Sequence, residues 1–364
     1  MKIYQITDYL EKIAPLEYQE EYDNSGLIIG NKNENISSVL ITLDCTEEVI
    51  EEAILNKCEL IISHHPIIFS DIKKLNYNHY TERVIVKAIR NNIAIYACHT
   101  NLDNVIKGVN GRIADKLNLT NRAVLSHKKN ILRQLVVYCP LNKSEELKEA
   151  LFHAGAGKLG DYDCCSFSSE GLGTFHPKEK SNPYVGEKGE IHYEKETRIE
   201  VVYHTKDENN ILSAMRTIHP YEEIAHQIYI IPNTNKSIGS GLIGEITESV
   251  APIEFLRELK KVMNTKCIKH TAITCDNIKY VAVCGGSGAF LIEEAKKHQA
   301  DIFITSDIKY HQFFDADKKI IIADVGHYES EQYTKDLIYD FLVKKFTKFA
   351  ILLSKVNTNP INYL

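Results

Sequence analysis

Among the nine cysteines of this 364-residue chain there is no CxxC pair and no regular spacing, which excludes a disulfide scaffold and a CxxC redox or zinc module. No apolar stretch approaches the roughly 18 residues needed to span a bilayer. An excess of basic residues is missing too: 43 Lys and Arg stand against 49 Asp and Glu, with no long block of one sign. A dedicated nucleic-acid binder should carry a basic footprint, so that class is disfavoured. The N-terminus, MKIYQITDYLEKIAP, lacks the apolar centre of a signal peptide and reads as an amphipathic helix. Cys98 and Cys284 sit inside apolar runs, where reduced thiols behave as small hydrophobes. Together these readings place the chain in the cytoplasm as a soluble protein. Its 44% hydrophobic and 25% charged content suits two or three folded domains.

What is present is a repeated layout. SSVLITLD reads as a strand, TEEVIEEAILNKC as a helix, and ELIISHHP as a buried strand ending in two histidines. Far downstream, IKYVAVCGG, GAFLIEEAKKHQA and DIFITSD repeat that order. Glu52 lines up with Glu294, Glu59 with Asp301 and Ser63 with Thr305, 242 positions apart, which sets His65 against Asp307. NIAIYACHTNLD and KKIIIADVGHYESE both end in a histidine followed four residues later by a carboxylate, matching His99 and Asp103 to His327 and Glu331. The expectation is an α/β protein built on a duplicated βαβ-type unit, with helices covering parallel strands. Ligands in such folds gather at the carboxyl ends of the strands, where these histidines fall.

Residues 127–240 differ in character. Their order, β-α-β-β-α-β, is the split-βαβ pattern of a ferredoxin-like α+β domain. The expected organisation is therefore a duplicated domain, 1–126 plus 241–364, interrupted by an inserted domain at 127–240. Cys164 and Cys165 fall in an expected strand, YDCCSFSSEG.

Three clusters carry chemistry. In SHHP, Pro66 biases His65 toward an extended backbone, so the end of the strand can splay His64 and His65 into one cavity. Such a pair of imidazoles suits two borderline metals about 3.5–4 Å apart. HTNLD adds His99 and Asp103. HYESE places His327 and Glu331 at i and i+4, neighbours on one helix face, and a carboxylate can bridge two ions. A pair of histidines closing a strand, or a chance HxxxE, would explain any one cluster alone; three at strand ends in duplicated halves favour metal. His99 and Asp44 are candidates to orient ligands from behind, with Asp44 equally suited to capping the next helix. His311, in SDIKYH, is a candidate general acid or base. GAGK at 155–158 lacks the spacing of a phosphate-binding P-loop. HPYEE at 219–223 reads as a solvated helix end, and YDNSGL at 22–27 as a turn.

These motifs in this order resemble the Nif-three-like dinuclear-metal proteins, also called GTP cyclohydrolase 1 type 2 homologues. The resemblance rests on YDNSGL, SHHP, HTNLD, SDIKYH and GHYESE and spans essentially the whole chain, with Tyr22 where the family usually has a tryptophan. It implies that His64, His65, Asp103, His327 and Glu331 bind two divalent ions, zinc, manganese or iron, with Glu331 shared. It further implies a homohexameric toroid whose openings are capped by an insert similar to the PII-like and copper-tolerance folds. The function implied is a metal-dependent hydrolase acting on a nucleotide. The alternative is a non-catalytic metal buffer, chaperone or sensor.

Overall fold

Apolar runs of four or five residues become the central strands, because a parallel strand covered on both faces needs no polar side. The computed structural model describes all 364 residues, Met1–Leu364. Two compact units separate: Met1–Lys128 with Asn235–Leu364, and Lys129–Thr234.

The larger unit holds two sheets. The first runs in the order Gly26–Ile29, Ala94–Ala97, Leu60–Ser63, Ser38–Thr42, Ala350–Leu353. Its last four strands are parallel, and Gly26–Ile29 is antiparallel at the edge. The second sheet runs Lys269–His270, Ile321–Asp324, Ile302–Ser306, Ile278–Ser287, Gly239–Val250, Thr120–His127. Its three central strands are again parallel, with an antiparallel edge at Lys269–His270. Val39 lies opposite Leu60 in the first sheet and Val281 opposite Ile302 in the second, each 242 positions on (281 less 39), so the strand registers coincide.

The helices pack for recognisable reasons. Thr46 caps Glu47–Leu55 by accepting from the Val49 amide, and Glu47 and Glu48 favour the positive end of the helix dipole. Tyr80–Arg90 turns Val84, Ile85 and Ala88 inward. Both join a core with Leu40, Ile61 and Ile95. The matching core of the second sheet is built on Ala282, Phe303 and Ile322.

The smaller unit is a four-stranded antiparallel sheet in the order Ser166–Phe175, His192–His204, Leu132–Pro140, His226–Ile231. Helices Ser144–His153 and Glu208–Ile218 bury Leu147, Leu151, Ile211 and Met215 against Leu135, Val137, Ile199 and Val201. Cys164 and Cys165 precede the first edge strand, and Cys164 takes a left-handed turn at φ +56°. The expectation that both lie in a strand is corrected: the bend before Ser166 needs a positive φ that a strand does not offer. No helix is long and apolar enough to cross a membrane.

Candidate metal centre

Adjacent side chains on a strand point to opposite faces, so His64 and His65 must leave the strand before they can share a cavity. They do so directly after Ser63. Both amides donate to the same carbonyl, Leu43, at 3.1 Å, and the Ser63 hydroxyl donates to the His65 carbonyl at 2.8 Å. The two rings then lie 4.9 Å apart at 48°. From the other half, His327 and Glu331 occupy one turn of the helix His327–Glu331, which opens right after the buried strand Ile321–Asp324.

The imidazoles share one pattern of support. His64 donates through Nδ1 to the Cys98 carbonyl at 2.8 Å, His65 to Asp44 at 2.7 Å, His99 to Asp23 at 2.7 Å and His327 to Asp307 at 2.6 Å. Each acceptor is a carbonyl or carboxylate oxygen, which places the proton on Nδ1 and leaves the Nε2 lone pair of a neutral ring free. Three of those Nε2 atoms, of His64, His65 and His327, converge on Glu331. Its Oε2 lies 2.9 Å from His65 Nε2 and 3.0 Å from His327 Nε2, and its Oε1 lies 3.7 Å from His64 Nε2. Asp103 Oδ1 is 3.7 Å from the same His64 nitrogen, and the His65 and His327 nitrogens are 3.2 Å apart.

Lone pairs so disposed repel unless positive charge sits among them. Three buried atoms at this point, His64 Nε2, Asp103 Oδ1 and Glu331 Oε2, have no hydrogen-bond partner. Leaving such atoms unpaired costs on the order of 1–3 kcal/mol each. Burial opposes protonation of His65 and His327, yet Glu331 with Asp44 and Asp307 pushes them up to about 10 and about 11. Burial raises the Asp103 carboxyl, with Glu331 beside it, to about 6 despite His64. Glu331 is held well below its ordinary value: burial opposes ionisation, but His65, His327 and His64 outweigh it. The cluster therefore draws in cations, either protons or metal ions.

Two groups have donor atoms close enough to hold a metal, each set within 4.8 Å: His65, His327 and Glu331, and His64, His65 and His99. All five residues singled out in the sequence, with His99 and Asp44, are brought to one place. His311 is not. It is exposed, its ring beside those of Tyr310 and Phe314, and it does not line the cavity. The cavity over the cluster measures about 710 Å³, with His65, His99, Asp103, His327 and Glu331 in its lining. His64 is fully buried beneath it.

Sequence reasoning missed Asp23, which it treated as part of a turn. Its carboxylate accepts from His99 Nδ1 and from the Thr100 amide and hydroxyl; burial opposes its ionisation, and the His99 bond holds it far below the usual carboxylate range. It also missed Thr358, whose hydroxyl donates to Asp44 Oδ2 at 2.5 Å. Gly286 is a third omission. A Cβ there would lie 2.3 Å from Glu331 Oε1, at a backbone φ of +63°, so this position must stay bare to admit the carboxylate. Asp307, opposite His65 in the duplicated layout, likewise holds φ at +57° to reach His327.

Fold and cluster together define a duplicated α/β protein with a buried histidine–carboxylate centre that can hold metal. Residues 1–360 match the family Duf34/NIF3 (NGG1p interacting factor 3), and the chain belongs to it. A Bacillus subtilis (strain 168) protein named GTP cyclohydrolase 1 type 2 homolog is 37% identical over 99% of this chain and 98% of its own length. A protein of the same name from Staphylococcus epidermidis is 34% identical over the whole of both chains. The crystal structure of a Bacillus cereus protein related to NIF3 superposes with a TM-score of 0.81 at 35% identity, covering 100% of this chain and 99% of that one. Staphylococcus aureus protein SA1388 follows at 0.78 and 28%, with the same coverage.

Proposed function

We propose that His64, His65, Asp103, His327 and Glu331 hold two divalent metal ions, and that the centre serves hydrolysis of a nucleotide ring system. The observation that carries this reading is Glu331: its two oxygens face different histidines, Oε1 toward His64 and Oε2 toward His65 and His327. Asp103 completes the set on the His64 side. Two divalent ions so held supply Lewis acidity and lower the pKa of coordinated water. The chain's own part is orientation. Asp44, Asp307 and the Cys98 carbonyl fix the tautomers of His65, His327 and His64. His99, set by Asp23, stands over the same cavity, where it can pass a proton to or from a ligand. The imidazole and carboxylate donors suit zinc, manganese or iron. The substrate class follows the relatives' name, GTP cyclohydrolase 1 type 2 homolog.

Residues 127–240, whose compact part is Lys129–Thr234, we read as a ferredoxin-like insert, on the strength of their β-α-β-β-α-β order and antiparallel sheet. The self-assembly proposed is a homohexamer, checked by sedimentation. A non-catalytic metal buffer or sensor is the second reading, favoured by the presence of this separate folded unit.

Elemental analysis of gently purified protein tests the centre. Two ions per chain are expected, falling below one in Glu331→Ala; less than one in the unaltered protein defeats the metal assignment. Turnover is tested with a nucleotide panel and added Mn²⁺, Zn²⁺ or Fe²⁺. Two bound ions with no hydrolysis of any nucleotide leaves the buffer or sensor reading standing.

A further inference from the structure

Asp103 and Glu331 lie 228 residues apart in the chain (331 less 103), yet each sets an oxygen 3.7 Å from His64 Nε2. Two carboxylates aimed at one nitrogen repel each other, so an uncharged fastening has to hold their backbones together. Asn110, a residue 2% exposed, provides it. Its Nδ2 donates to the Asp103 carbonyl at 3.1 Å, and its Oδ1 accepts from the Gly285 amide at 2.9 Å. The next amide, Gly286, donates to Ser330 Oγ at 2.9 Å, and that hydroxyl donates to the His327 carbonyl at 2.8 Å. Hydrogen bonds therefore run from Asp103 in the first half to the helical turn that carries His327 and Glu331 in the second.

Asparagine suits this place because its amide donates and accepts at once without charge. A leucine of the same size would leave the Asp103 carbonyl and the Gly285 amide unpaired. Asn110 is itself fixed, in the first turn of the helix Val109–Lys116. A Cβ on Gly108 would fall 1.7 Å from the Leu102 carbonyl oxygen, and one on Gly111 2.4 Å from that of Ile106. The start of this helix is therefore pressed directly onto the backbone on either side of Asp103. Resting on the metal-centre reading above, we infer that Asn110 is a positioning residue: it fixes Asp103 relative to Glu331 and decides whether the centre holds its second ion. The donors of the first ion, His65, His327 and Glu331, keep their own ties without it. Gly286 stays bonded to Ser330, and its carbonyl still accepts from Thr305 and Ser306. The donors of the second ion, His64 and Asp103, depend on the bridge to face Glu331.

The experiment titrates metal-stripped, full-length protein with Mn²⁺ by calorimetry, and electron paramagnetic resonance on the same samples tells a coupled pair from isolated ions. The parent should take two ions and show the coupling. Asn110→Ala should hold the first ion as the parent does, weaken the second by about 10–100-fold and lose the coupling. Asn110→Asp, which keeps the acceptor for Gly285 and loses the donor to Asp103, should show the same selective loss should the alanine variant not fold. Asn101→Ala is the comparison. That side chain is also fully buried and donates to the Ala14 carbonyl at 2.7 Å, a bond made within the first half. It should lower stability and keep both ions. Ser330→Ala, at the far end of the bridge, should weaken both ions, because Glu331 faces both sets of donors. Unchanged affinities in Asn110→Ala overturn the inference, as do equal losses of both ions there or a selective loss in Asn101→Ala. So do two unaffected ions in Ser330→Ala. A parent that binds less than one Mn²⁺ per chain defeats the metal reading and this inference with it, whereas two ions in the parent and in Asn110→Ala alike defeat this inference alone.

Discussion

The two sheets of the larger unit share a scaffold and have divided the chemistry between them. Asp44, just after the strand Ser38–Thr42, corresponds to Gly286, near the end of the strand Ile278–Ser287, 242 positions on. His64 and His65, directly after Leu60–Ser63, stand against Ser306, which ends Ile302–Ser306, and Asp307, which follows it. The first half therefore offers two imidazoles where the second offers one carboxylate that reaches His327 instead. Gly286 leaves room for Glu331 where Asp44 fills space to hold His65. His64, His65 and Asp103 come from the first half and His327 and Glu331 from the second, so the set around Glu331 draws on both.

The largest break in this arrangement should come at the residue that touches both sides. Glu331→Ala removes the only carboxylate facing His64, His65 and His327 together, leaving no bridge between the two sets of donors. The expected loss of metal affinity exceeds 100-fold, beyond the range of residues that act through a ligand. Competition with a chromogenic chelator measures it; retention within tenfold would remove Glu331 from the centre.

The next comparison sets the equivalent positions His65 and Asp307 against each other. His65→Ala should match the effect of Glu331→Ala, since its Nε2 lies 2.9 Å from the carboxylate. Asp307→Ala should weaken metal by about 10–100-fold, because it frees the His327 ring without removing it. Equal losses at the two positions would mean that the halves had not diverged as described.

Much of this division was legible in the sequence. The buried strands announce themselves as apolar runs, and the His and carboxylate clusters stand at their ends. The second correspondence was legible only to within one residue. Leu60 pairs with Ala94 and Ile302 with Ile321, so the third strands are offset by 227 (321 less 94), which sets His99 against Gly326, not His327. His99 precedes the helix Thr100–Asp103, whereas His327 is the first residue of its helix. The shortening between the strands explains the slip, since helix Tyr80–Arg90 has only the 3-10 turn Tyr310–Ala316 as its counterpart. Asp23 and Thr358 were not legible at all. Their partners, His99 and Asp44, lie 76 and 314 residues away, and no local pattern encodes such a contact.

The register difference makes its own prediction. Gly326 holds φ at +94°, and a Cβ there would meet Glu329 Oε2, a buried carboxylate oxygen, at 2.3 Å. Gly326→Ala should therefore cost about 1–3 kcal/mol of stability, measured by denaturant unfolding. Thr100→Ala, next to His99 on the other side, introduces no clash and should cost about 1.5–3 kcal/mol from its lost bonds to the Asp23 carboxylate and the Glu20 amide. A Gly326→Ala protein as stable as the parent would show that this position carries no constraint and that the one-residue slip has no structural cause.

The smallest effect tests how the two supporting carboxylates are themselves held. Asp44 is gripped twice, by His65 Nδ1 on one oxygen and by the Thr358 hydroxyl on the other. Thr358 belongs to the segment following Ala350–Leu353, the strand that adds the chain's last residues to the first-half sheet. Asp307 has His327 as its hydrogen-bond partner and a left-handed backbone to aim it. One half thus positions its carboxylate by a distant contact and the other by local conformation. Thr358→Ala should lower metal affinity by less than tenfold, because Asp44 keeps its direct bond to His65 and loses only the grip on its other oxygen. Thr358→Ser keeps the hydroxyl and should restore affinity. Loss in both variants alike would assign the effect to packing of the tail, and the contrast between a tethered Asp44 and a self-aimed Asp307 would fall.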